Sequence, residues 1–95
     1  MTLYEMLAFN GTGSELEEYK ALIGKRKKLE AMLRVLSNKI QAIEDSISVF
    51  EGELSDRDKK RLESHIRLRN EAVCKKQKTE EQWERVKARI KEMQV

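Results

Sequence analysis

Proline is absent from all 95 residues, and the chain has one cysteine, one histidine and five aromatic side chains (Trp 1, Tyr 2, Phe 2). Without proline, nothing breaks a helix by removing a backbone donor. A single cysteine, Cys74, excludes an internal disulfide and fits a reducing compartment. No stretch approaches the roughly 18 uninterrupted apolar residues of a membrane span. The opening Met1-Thr2-Leu3-Tyr4-Glu5 lacks the basic lead of a secretory signal and carries an acid. The expectation is a soluble intracellular protein, cytoplasmic or nuclear, with no membrane contact.

The same scarcity removes most chemistry. Cys74 has no second cysteine and no nearby histidine, so a metal would need ligands from another chain; a partly buried, inert thiol is expected. His65 is the only histidine and has no visible nucleophile beside it. Glu44-Asp45 and Glu80-Glu81 are adjacent in sequence, and helical neighbours point about 100° apart, which excludes an acid–base dyad. Asn10-Gly11-Thr12-Gly13 is too short to cradle a phosphate and lacks the following lysine–hydroxyl pair. The chain reads as non-enzymatic, with no cofactor, metal or small-molecule ligand.

What is present is periodicity. Tyr19, Leu22, Arg26, Leu29, Leu33, Leu36, Ile40, Ile43, Ile47, Phe50 and Leu54 follow alternating three- and four-residue steps, broken only by Arg26. That 3.5-residue period belongs to one side of a helix packed along another. With 39% of residues charged, the composition is that of a long-helix protein, and its regular apolar spacing separates it from a disordered one.

Punctuation divides the pattern. Thr2 with Glu5, Ser14 with Glu17 and Ser55 with Asp58 each place an acid three residues after a hydroxyl, the mark of a helix start. Gly52 is placed to end a helix in left-handed conformation. The expected fold is all-α: a short N-terminal amphipathic segment and glycine-containing linker (1–13), then an antiparallel two-helix coiled-coil hairpin (14–95). The helices are expected at about 3–9, 15–51 and 56–93, with a turn at 52–55. So short a turn folds the long helices back on each other. Charge supports the pairing. Glu15, Glu17 and Glu18 approach Lys91, Arg89 and Lys87; Lys25, Arg26, Lys27 and Lys28 approach Glu84, Glu81 and Glu80; Glu44 and Asp45 approach Arg61 and Arg67. Arg26 either lies on the indole of Trp83 or extends its head to solvent.

The second long helix is a poor partner for the first. Its facing series, Leu62, Ile66, Arg69, Val73, Lys76, Glu80, Trp83, Val86, Ile90 and Met93, is polar in the middle. From Leu29 to Phe50, by contrast, 12 of 22 residues are apolar, so the apolar arc is wider than one neighbour covers. A two-helix scaffold also has little interior. Completion by partner helices is therefore expected, from a second copy or from other subunits. The candidate interface is Leu3, Met6, Leu7, Phe9, Leu29, Met32, Val35, Leu36, Ala42 and Val49. The N-terminal members either fold back on the hairpin or dock in a partner's groove.

The other reading is a nucleic-acid-associated hairpin. Lys59, Lys60, Arg61, Arg67, Arg69, Lys75, Lys76 and Lys78 face only Glu63 and Glu71 within 59–78, a basic tract that could neutralise phosphates. No aromatic lies within it to stack on bases, and its residues recur at several helical positions, so a solvated face explains it better.

The run Lys25-Arg26-Lys27-Lys28-Leu29 leading to Phe50-Glu51-Gly52 resembles the helix of the small coiled-coil subunit of histone acetyltransferase complexes. The likeness covers less than a third of the chain in spacing any coiled coil shares, and the tryptophan-bearing segment expected after the glycine is missing. The two-helix outline is also similar to prefoldin-type subunits, but 52–55 leaves no room for their connecting strands. No family is assigned on these residues.

Overall fold

Hydroxyl caps decide where the helices begin. In the computed structural model, which describes Met1–Val95 throughout, the chain forms α1 (Leu3–Ala8), α2 (Gly13–Ser48) and α3 (Asp56–Glu92), with no strands. The long helices α2 and α3 pack antiparallel, with α1 ahead of them, as the all-α hairpin reading expects. The Thr2 hydroxyl caps α1 by accepting from the Glu5 N–H at 3.2 Å. Ser55 caps α3 in the same way, accepting from the Asp58 N–H at 3.2 Å.

Both ends of α2 differ from expectation. It starts at Gly13, because Thr12 with Glu15 offers the same hydroxyl–acid spacing as Ser14 with Glu17, two residues earlier. The Glu15 N–H donates to the Thr12 carbonyl at 3.0 Å, and the Thr12 hydroxyl donates to Glu15 Oε1 at 3.2 Å. The earlier cap adds half a turn of helix. At the far end α2 stops at Ser48, not at 51, and the connection spans 49–55. Ser48 Oγ donates to the Asp45 carbonyl at 2.6 Å and the Phe50 N–H to the Ile47 carbonyl at 3.1 Å, which closes the last turn early. Gly52 does take the left-handed conformation, at φ +73°, but in the turn proper.

The chain divides into two compact units. The first comprises Met1–Met32 with Thr79–Val95. Its core is Tyr19, Ile23, Leu29, Val86, Ile90 and Met93, flanked by Phe9, Leu16, Leu22 and Trp83. Ile23, outside the heptad series, is nearly sealed from solvent. Glu18 and Arg89 form one of the expected cross-helix pairs, at 3.2 Å. Hydrogen bonds to Glu18, then to Glu92, push the Arg89 guanidinium above its ordinary value.

The second unit, Leu33–Lys78, contains the hairpin turn. Leu36 and Ala72 are buried here, while Leu33, Ile40, Ile43, Ile47 and Phe50 are half-buried. Phe50 lies 5.9 Å from the His65 ring, whose Nδ1 donates to the Arg61 carbonyl at 2.7 Å.

The inward series of α3 is corrected in both units. Ala72, not Val73, is the buried α3 position of the second unit, and in the first Thr79, not Glu80, is buried along with Val86, Ile90 and Met93; Glu80 is exposed. Ile66 and His65 are both half-buried. Strict three–four alternation runs through Leu62, His65, Arg69, Ala72, Lys76, Thr79, Trp83, Val86, Ile90 and Met93. Taking Ile66 in place of His65 puts the alternation one residue out at every second step, at Val73 and Glu80, until Trp83 restores the phase.

Candidate interaction surfaces

In the first unit the N-terminal segment is tied down by polar groups. The Asn10 N–H donates to the Met93 carbonyl and the Val95 N–H to the Ala8 carbonyl, each at 2.8 Å, forming an antiparallel bridge at Phe9 and Gln94. The Phe9 N–H turns to the Met6 carbonyl, which leaves the Glu5 carbonyl at the helix end for another donor. The buried hydroxyl of Tyr19 supplies it at 2.6 Å and itself accepts from Gln94 Nε2 at 3.1 Å. Phe9 packs against Tyr19 with ring centroids 4.8 Å apart.

The Glu5 side chain completes the attachment. It is only 8% exposed, and its Oε1 lies 3.3 Å from Arg26 Nη2. Its Oε2 is buried without a hydrogen-bond partner. Arg26 Nε lies 3.5 Å from Glu30 Oε1, an ion-pair distance at which no hydrogen bond is aligned. Glu30 Oε1 also accepts from Trp83 Nε1 at 3.3 Å, and Lys87 Nζ sits 3.5 Å above the indole ring. The cation on Trp83 is therefore Lys87, not Arg26. Arg26 turns to Glu5 because a carboxylate with little access to water holds a guanidinium better than an indole face does.

These bonds set the rotation of α1, and the result is inverted. Its acid points inward, while Leu3, Tyr4 and Leu7 are 71%, 77% and 73% exposed, with Met6 exposed beside them. The segment does fold back onto the hairpin, through Glu5 and Phe9, and still presents most of its apolar side chains outward.

The ten candidate interface residues thus fall into two groups. Leu3, Met6, Leu7, Met32, Val35, Ala42 and Val49 are exposed. Leu29 and Leu36 are buried inside the hairpin, and Phe9 is half-buried on Tyr19, so these three serve the chain's own packing. Tyr4, which stands among the N-terminal candidates, is exposed with them, and so is Leu68, which was missed; Leu68 stands directly before Arg69 of the inward series, a flanking position legible once that series is known. Cys74 is exposed, against the expectation of a partly buried thiol, on a groove of α3 it shares with Ile66, Asn70 and Glu71.

The basic tract does not make one face. Lys59, Lys60, Arg61, Arg67, Lys75 and Lys78 are exposed around α3, whereas Arg69 and Lys76 are half-buried at inward positions. No group of three or more His, Cys, Asp or Glu is arranged to hold a metal ion. No helix is long and apolar enough to cross a membrane. In comparisons with known proteins, no family model matches the chain, and neither a curated protein nor a solved structure matches it.

Proposed function

We propose that the chain is a non-enzymatic assembly subunit, a helical hairpin that presents exposed apolar side chains to other helices. The observation that carries this reading is the inverted α1. Four specific hydrogen bonds and an ion pair hold it with Glu5 inside and Leu3, Tyr4 and Leu7 outside. Rotating it to bury those side chains would gain about 1.5–3 kcal/mol for each fully buried one. The polar attachments oppose that rotation and reserve the apolar face for another surface, where desolvated anchors carry most of the binding energy.

The test uses the double variant Leu3→Ser/Leu7→Ser, which alters only exposed side chains. Helicity and melting temperature are expected to stay at wild-type values. Proteins retained by the immobilised wild-type chain are expected to be lost with this variant and kept with Lys60→Glu/Lys75→Glu/Lys78→Glu. Retention unaffected by Leu3→Ser/Leu7→Ser would refute the role of α1. Micromolar, salt-sensitive binding to an arbitrary oligonucleotide, abolished by the lysine reversals, would replace the assembly reading with nucleic-acid association.

A further inference from the structure

The unit Leu33–Lys78 has an exposed edge that α1 does not share. Val35, Lys39, Ala42 and Ser46 of α2 are all exposed at alternating four- and three-residue steps, and Val49, one residue past the helix, continues them. This is a second heptad stripe, displaced from the inward series Leu33, Leu36, Ile40, Ile43 and Ile47. Val35 is 64% and Val49 76% exposed. A helix with two stripes is shaped to pack against two neighbours, and α3 supplies only one.

We infer that a second copy of this chain covers the edge, antiparallel to the first, with a two-fold axis at Ala42. This rests on the assembly reading and names its partner for this surface.

Two observations favour a second copy. First, the stripe is self-complementary about its centre. An isologous interface requires that if one residue meets another, the reverse contact also occurs. Reversing the helix about Ala42 places Val35 on the second copy's Val49, Ala42 on its own counterpart, and Lys39 next to the second copy's Ser46, beside Asp45 at the margin of the stripe. The small Ala42 at the axis lets the two helices approach.

Second, the two ends of the unit differ in charge. The turn end is an open groove of about 640 Å³ that includes Ser46 and Val49 of the stripe and is bordered by four acids, Asp45, Glu51, Glu53 and Asp58, and one base, Arg61. Toward the other end of the unit, α3 carries exposed Lys75 and Lys78. Antiparallel pairing sets acid against base at both ends, whereas parallel pairing sets like on like.

The purified chain is expected to have a mass of about 22 kDa by light scattering, twice 11.2 kDa. In a Cys74→Ser background, Ala42→Cys is expected to form an inter-chain disulfide. Val35→Cys and Val49→Cys should each fail alone and crosslink when mixed. Val49→Asp should give a monomer of unchanged helicity. Lys39→Asp should weaken the dimer about tenfold, because each exposed pair occurs twice at under ~1 kcal/mol, and Lys39→Asp/Asp45→Lys should restore it.

Self-crosslinking of Val35→Cys or Val49→Cys alone would mean a parallel pair and overturn the inference. A monomeric mass at 100 μM or more (an arbitrary ceiling of about 100 μM, roughly −5.5 kcal/mol), with no Ala42→Cys crosslink, would overturn it as well. That failure leaves the assembly reading intact, since α1 lies outside this edge and its variants are scored on captured proteins. Loss of capture dependence on α1, by contrast, would refute that reading whatever the mass.

Discussion

Replacing Tyr19 by phenylalanine isolates the attachment of α1 from the rest of the fold. The ring is fully buried, so the substitution keeps its packing on Phe9 and removes one oxygen. That oxygen donates to the Glu5 carbonyl at 2.6 Å and accepts from Gln94 Nε2 at 3.1 Å. Stranding a buried polar partner costs about 1–3 kcal/mol. At about 2 kcal/mol, and about 4–8 °C per kcal/mol for a domain of this size, the melting temperature should fall by about 10 °C. If α1 instead opens alone, the loss should appear locally. The amides of Asn10 and Val95, bonded to Met93 and Ala8, should then exchange roughly 30-fold faster with the global melt unchanged. Circular dichroism melts and amide hydrogen exchange on the same sample measure both. Unchanged melting together with unchanged exchange at Asn10 and Val95 would refute the role assigned to this hydroxyl.

Arg26→Ala should destabilise the protein by about 2 kcal/mol, less than a fully buried pair because Arg26 retains some exposure, by leaving the Glu5 carboxylate without its counter-charge. Adding Glu5→Gln should recover most of the loss, and a double-mutant cycle by denaturant melts checks the coupling. Gly24→Ala should raise stability by about 1 kcal/mol, since Gly24 sits exposed within α2 and its added methyl meets nothing within 4 Å. Gly52→Ala should lower stability by about 1 kcal/mol, although its methyl also meets open space, because its φ of +73° is strained for an L side chain; equal stability in a chemical melt would show that the turn adapts.

Elements specified by local rules were legible in the chain itself. The caps at Thr2 and Ser55 and the left-handed Gly52 depend on interactions a few residues apart. The heptad seam of α2 and the Glu18–Arg89 pairing follow from periodicity and from the antiparallel return that a short connection imposes. The start of α2 was offset because Thr12 and Ser14 offered equivalent caps, and its end because a serine bonded back to the preceding turn.

What only the tertiary structure decided concerns groups distant in sequence. Arg26 could be seen breaking the seam, but its partner Glu5 lies 21 residues away on a separate helix, and local spacing carries no record of that meeting. The rotation of α1 follows from bonds to Tyr19, Met93 and Gln94, so no inspection of Leu3–Ala8 alone reveals that its acid faces inward. Ala72 and Thr79 occupy the inward face of α3 in place of larger neighbours for a related reason: burial is assigned by how closely two backbones approach, and hydrophobicity along one of them is only a partial guide to it.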